Sequence, residues 1–178
     1  MPHTSVALVE DDPAARQRFA DAIRAAPDLA LVASFEYGKD ALTWLENNQP
    51  DVLLTDLGLP DIPGLAVLTY CARRHPTCDI MVITMYDDDA HVVRCLEAGA
   101  SGYLLKDTPR QKIVEAIRGT MDGKSFVDPA IAGKLLNQVA SKQTQPTSIL
   151  TDKLTERELD VLRLIAKGIN NSEIANQL

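Results

Sequence analysis

Residues 53–64 read LLTDLGLPDIPG. An apolar run, VLLT at 52–55, ends on Asp56, and a loop rich in Gly and Pro follows at once. Asp51 precedes the run and Asp61 follows the acid at its tip. A short apolar run bounded by turn residues reads as a buried strand. A carboxylate at the end of such a strand needs a reason, because an uncompensated buried charge is expensive.

The same pattern recurs on either side. SVALV (5–9), LALVASF (29–35), DIMVIT (79–84) and SGYLL (101–105) are also strand-like. Helical spacing fills the gaps. PAARQRFADAIRAA (13–26) puts Ala15, Phe19, Ala22, Ile23 and Ala26 on one face, and KDALTWLENN (39–48) turns Ala41, Leu42 and Leu45 inward. A third helix covers roughly 64–75. A fourth, DDAHVVRCLEAG (88–99), ends on Gly99 as a C-terminal cap. A fifth, PRQKIVEAIRGTM (109–121), carries Pro in its first turn. Apolar strands alternating with helices predict a parallel sheet covered on both faces. Five such units in residues 1–122 predict an α/β, flavodoxin-like doubly wound domain with five parallel strands in the order 2-1-3-4-5.

That order answers the opening question. Ligands of such sheets bind beyond the carboxyl ends of the strands, where strands 1 and 3 lie side by side. Glu10, Asp11 and Asp12 follow the first strand, and Asp56 follows the third, so several carboxylates share one crevice. Bare carboxylates so close raise one another's pKa, and a hard divalent cation removes the conflict. Mg²⁺ takes one or two carboxylates, waters and a phosphate oxygen. Thr84 ends the fourth strand with a hydroxyl, and Lys106 follows the fifth with an ammonium. Carboxylates, cation, hydroxyl and lysine at one end of one sheet are the parts of a phosphoryl-transfer site. Asp12, before Pro13, reads as a helix cap, and Asp87–Asp88–Asp89 as acids complementing a helix dipole.

Charge supports this division of labour. The chain has 178 residues and a net charge of −7. Residues 1–126 hold 12 Lys and Arg against 19 Asp and Glu, and residues 127–178 hold 6 against 6. An acidic first part argues against nucleic-acid binding there. No apolar stretch approaches the roughly 20 residues that span a bilayer, and MPHTSVALVED does not read as a signal peptide. The expectation is a cytoplasmic protein without a membrane partner. Cys71, Cys78 and Cys95 lack metal-ligand spacing and read as reduced, buried thiols, and the three histidines are assigned no role.

The motifs LVEDDP (8–13), LLTDLGLPDIPG (53–64), VITMYDD (82–88) and GYLLKD (102–107) resemble the receiver domain of two-component response regulators. The form GYLLKDTP is similar to the NarL/FixJ type. The resemblance implies that Asp56 is the phospho-acceptor and that Mg²⁺ is held by Glu10, Asp11, Asp56 and the backbone carbonyl of Gly58. It implies that Thr84 and Lys106 contact the phosphoryl group and that Tyr103 is an aromatic switch residue. In such receivers the positions of Gly58 and Tyr86 influence how fast the phosphoryl group is lost; Gly has no side chain to orient a water and Tyr86 obstructs its approach, so the resemblance implies a long-lived phosphoryl group.

The second part reads differently. DPAIAGKLLNQVA (128–140) is a short amphipathic helix, and SKQTQPTS (141–148) is a linker. In LTERELDVLRLIAKG, Thr155 and Glu158 form a capping box and Gly168 stops the helix; Asn170 and Glu173 repeat the cap for NSEIANQL. LTERELDVLRLIAKGINNSEIANQL resembles the start of a LuxR-type helix-turn-helix domain. The expected domains are a receiver (1–122), a linker with one amphipathic helix (123–150) and the first part of a helix-turn-helix domain (151–178), without the recognition helix that reads base edges. DNA-binding residues are therefore unassigned, and promoter DNA is expected as a partner of a longer parent chain.

The resemblance implies a transcription regulator, not an enzyme. It takes a phosphoryl group from a sensor histidine kinase and forms a homodimer when phosphorylated. A regulator working through protein–protein contact alone is the alternative, and a Mg²⁺-dependent phosphohydrolase lacks a second acid–base group in the sequence.

Overall fold

The computed structural model describes residues 3–85, 89–127 and 132–133. The chain divides into two compact units, Met1–Phe126 and Val127–Leu178. The amphipathic helix expected over 128–140, the linker, the helix pair of 151–178 and Tyr86, Asp87 and Asp88 lie outside the described residues, apart from 132–133.

Strands and helices alternate: β1 (Thr4–Val9), α1 (Pro13–Ala25), β2 (Leu29–Phe35), α2 (Gly38–Leu45), β3 (Val52–Asp56), α3 (Gly64–Arg74), β4 (Asp79–Thr84), α4 (Asp89–Glu97), β5 (Gly102–Leu105), α5 (Arg110–Met121) and β6 (Phe126–Val127). The sheet order is β2-β1-β3-β4-β5-β6. β1 pairs in parallel with both β2 and β3, β3 with β4, and β4 with β5. The expected 2-1-3-4-5 order is present, and a sixth, two-residue strand adds to one edge.

Burial follows position in the sheet. β3 is buried along its whole length, as a strand covered on both faces must be. β2, at the other edge, alternates buried or half-buried with exposed positions, and Val32 is 47% exposed. Phe19, Ala22 and Ile23 of α1 pack with Ile113, Ala116 and Ile117 of α5 over Val6, Leu8, Val52 and Leu54. Leu45 of α2 and Val67, Leu68 and Cys71 of α3 are also buried. Cys71, Cys78 and Cys95 are buried thiols without disulfides. His75 is buried with its Nε2 2.8 Å from the Leu45 carbonyl, a structural role.

The helix ends have local causes. Asp12 caps α1, accepting from the amides of Ala14 and Ala15 with Pro13 in the first turn. Ala26 ends it in an extended conformation, as the residue before Pro27 should. Gly99 follows α4 at φ 106°, the left-handed cap that glycine allows. Several boundaries differ from the sequence reading by one to three residues. α2 runs from Gly38 to Leu45, stopping before Asn47 and Asn48, and Pro109 is the N-cap of α5, outside its first turn.

The junction after β3 is the tightest point. Gly64 donates its N–H to the Leu57 carbonyl at 3.0 Å. A Cβ there would collide with the backbone of Asp56 and Leu57. Gly64→Ala is expected to lower the urea midpoint by about 1–3 kcal/mol equivalent, the usual scale of overpacking. An unchanged midpoint in equilibrium unfolding would show that the turn opens freely.

Candidate functional site

The register of the central strands builds the site. Val9 of β1 lies opposite Thr55 of β3, so Glu10 and Asp56 leave adjacent strands at the same level. Asp56 lies opposite Ile83, and Thr84 opposite Leu105, which brings Lys106 to the same edge. The Lys106 amide donates to the Thr84 carbonyl at 2.8 Å. Glu10 is wholly buried and Asp56 only 4% exposed. An open cleft of about 520 Å³ is lined by Asp11, Asp12, Asp56, Leu57, Gly58, Thr84, Met85 and Lys106.

Carboxylate oxygens of Glu10, Asp11 and Asp56 lie within 4.8 Å of one another. Lys106 Nζ donates to Glu10 Oε1 at 2.7 Å and to Asp56 Oδ2 at 2.9 Å, and stands 4.0 Å from Asp11 Oδ1. Burial would lower the Lys106 pKa, but its hydrogen bonds to Asp56 and Glu10 outweigh burial and hold it above its ordinary value. For Glu10 burial wins, with the Asp56 charge adding to it, and its carboxyl is pushed up to about 7 despite the Lys106 bond.

One ammonium does not satisfy this set. Glu10 Oε2 is buried with no hydrogen-bond partner among the described residues. An orphaned carboxylate oxygen beside two further carboxylates offers the hard oxygen donors that a divalent cation takes, so the residues present fit such an ion. The Gly58 side is open: a Cβ there would stand 3.7 Å from Asp56 Oδ2. Thr84 is buried and donates its hydroxyl to the Met85 carbonyl at 3.1 Å. Tyr103, on β5 opposite Val82, is fully buried.

The neighbouring acids have separate tasks. Asp51, at the other end of β3, accepts from both the amide and the hydroxyl of Ser5 at 2.7 Å. Asp12 turns away to cap α1, and the amides of Ala14 and Ala15 hold its carboxyl below the usual range. Asp61 accepts from the amides of Gly38 and Lys39, both at 2.9 Å. It therefore caps α2 from the loop after β3. These amide bonds outweigh partial desolvation and hold its carboxyl low. Sequence reasoning left Asp61 without a role. The available signal was Tyr37, which occupies the N-cap of α2 and has no side-chain oxygen bond to offer it.

Comparison with known proteins agrees with this geometry. Residues 6–118 match the response regulator receiver domain, and residues 152–178 match the luxR family of bacterial regulatory proteins. The oxygen regulatory protein NreC of Staphylococcus aureus is 34% identical over 177 residues, covering 97% of this chain and 82% of that protein. A LuxR-family two-component response regulator from Aurantimonas sp. SI85-9A1 superposes with a TM-score of 0.71 at 27% identity, over 78% of this chain and 99% of that one. The isolated receiver domain of RcsB from Salmonella enterica serovar Typhimurium shares the fold, with a TM-score of 0.67 at 22% identity over 73% of this chain and 96% of that one. A parallel α/β sheet with an acid cluster at its carboxyl edge is the frame of a response regulator. The chain belongs to that family, in its NarL/FixJ type, with a receiver domain and a LuxR-type DNA-binding region.

The crowding of charge is testable without any ligand. In EDTA at pH 8, Glu10→Gln is expected to stabilise the fold by about 1–3 kcal/mol, the scale set by a buried carboxyl held at about 7. Urea unfolding measures this, and a lowered midpoint would mean that Lys106 depends on the Glu10 charge.

Proposed function

We propose that Asp56 accepts a phosphoryl group from the phosphohistidine of a sensor kinase, in a reaction that needs Mg²⁺. The single observation that carries this reading is the Lys106 ammonium bonded at once to Asp56 and Glu10 beside a third carboxylate. In the transfer, an Asp56 carboxylate oxygen bonds to phosphorus as the histidine N–P bond breaks, leaving an acyl phosphate. Glu10, Asp11, Asp56 and the Gly58 carbonyl would hold the cation, which neutralises charge on the phosphoryl oxygens. Lys106 and the Thr84 hydroxyl would contact those oxygens, and Tyr103 would respond to the movement of Thr84. The wholly buried Tyr103 and the buried Thr84 on the next strand support that pairing.

The phosphoryl charge then shifts a two-state receiver toward a homodimer, and the DNA-binding region reads the result. Such coupling is typically about 1–3 kcal/mol, enough to shift a population. The luxR-family match over 152–178 favours DNA over protein contact as the output. We further propose the division into a receiver over 1–122, a linker over 123–150 and helix-turn-helix residues over 151–178. The protein is a stoichiometric switch in the cytoplasm, without turnover of a substrate; no helix among the described residues is long and apolar enough to cross a membrane.

Intact mass after incubation with acetyl phosphate and Mg²⁺ tests the acceptor. One added phosphoryl group is expected on the wild type and none on Asp56→Asn. Labelling of the Asn variant would move the acceptor elsewhere. Mg²⁺ is expected to raise the thermal midpoint of the wild type and to leave that of Asp11→Asn nearly unchanged, read by differential scanning fluorimetry. Equal shifts in both would remove Asp11 from the cation site.

A further inference from the structure

Arg16, near the start of α1, is tied to the acid-bearing loop by three bonds. Its Nη1 donates to the Glu10 carbonyl at 2.7 Å and to the Asp11 carbonyl at 3.2 Å. Its own amide donates to the Asp12 carbonyl at 2.8 Å. The carbonyls of all three acids in the loop are thus held by one residue. The far side of the guanidinium, Nη2, stands 3.5 Å from Glu36 Oε2, just beyond the end of β2.

This contact matters because of what holds Asp11. Glu10 is fixed by burial, by Lys106 and by the Asp12 amide, which donates to its Oε1 at 3.0 Å. The Asp11 carboxylate is 35% exposed, and its nearest charged partner is Lys106 at 4.0 Å. Its position therefore depends on where the backbone places its Cα and Cβ. Both carbonyl bonds come from one nitrogen, Nη1, whose two N–H groups reach adjacent carbonyls while Nη2 is left to Glu36.

We propose that Arg16 is a positioning residue for the cation site, clamping the Glu10–Asp11 backbone so that the Asp11 carboxylate faces Asp56. The proposal rests on the reading of Asp56 as a Mg²⁺-dependent acceptor. Arg16 touches neither cation nor phosphoryl group; it acts through the two carbonyls. Groups that orient metal ligands from behind typically change metal affinity by about 10–100-fold when removed.

Calorimetric titration of the full chain with MgCl₂ alone tests the clamp. Arg16→Ala is expected to weaken Mg²⁺ binding by roughly tenfold and Arg16→Lys by less, because a single ammonium nitrogen can still donate to these carbonyls. Glu36→Gln, which alters only the outer side of the guanidinium, is expected to bind within about twofold of the wild type. Labelling by acetyl phosphate supplies a second readout. The Mg²⁺ concentration giving half the maximal rate should rise about tenfold in Arg16→Ala, while the rate at saturating Mg²⁺ stays within about twofold. A merely structural role would lower the saturated rate as well, and that result overturns the clamp. Arg16→Ala binding Mg²⁺ as the wild type does also overturns it, leaving the acceptor reading intact. If Arg16→Ala fails to fold, Arg16→Met, which keeps an apolar stem and donates nothing, decides: wild-type affinity overturns the clamp and weakened affinity supports it. A wild type that binds no Mg²⁺ overturns the acceptor reading, and the clamp with it.

Discussion

Two carboxyl groups leave neighbouring strands inside the fold, and one ammonium holds them there. Lys106 bridges Glu10 and Asp56 across β1 and β3, with Asp11 a little farther off. The bridge leaves one Glu10 oxygen unmet and Glu10 reluctant to ionise. A site built this way is electrostatically incomplete, and incompleteness suits a receptor for a cation and an anion together. The surrounding structure maintains that condition. β3 is buried on both faces, Gly64 lets the chain turn directly behind Asp56, and the Thr84 carbonyl anchors the Lys106 amide.

Much of this was legible in the sequence, for a definite reason. Apolar runs alternating with helical periods leave few topologies open, and the doubly wound order puts the first and third strand tips together. Glu10, Asp11, Asp56, Thr84 and Lys106 could therefore be assembled before any coordinates, and the structure lines one cleft with four of them while Glu10 meets Lys106 behind it. Asp12 was legible as a cap because Pro13 follows it. What remained hidden has one physical character. β6, the cap from Asp61 and the reach of Arg16 all depend on closeness in space between residues far apart in sequence or held by a turn. Periodicity carries no information about such contacts.

Asp61 and Arg16 tie two loops of the site to the segment that leads into α2. Asp61 ties the loop after β3 to the first amides of α2, and Arg16 ties the loop after β1 to Glu36, two residues before α2 begins. The two acid-bearing loops are thus fastened to nearly the same place. The start of α2, which carries no acid of the cluster, takes part in their spacing through backbone amides and one ion pair. Surface ion pairs contribute little by themselves, so the amide bonds of Asp61 carry most of this connection and the Arg16–Glu36 pair adds little to it.

The Ser5–Asp51 pair lies at the far end of the same two strands, where both the serine amide and hydroxyl grip one carboxylate oxygen. β1 and β3 therefore resemble a pair of beams bolted together at the foot. Crowding or neutralising charge at their heads has no sliding motion available to relieve it, since slippage would have to break the foot. Any adjustment at their heads therefore falls to side chains and loops beyond the last rung rather than to the register of the two strands.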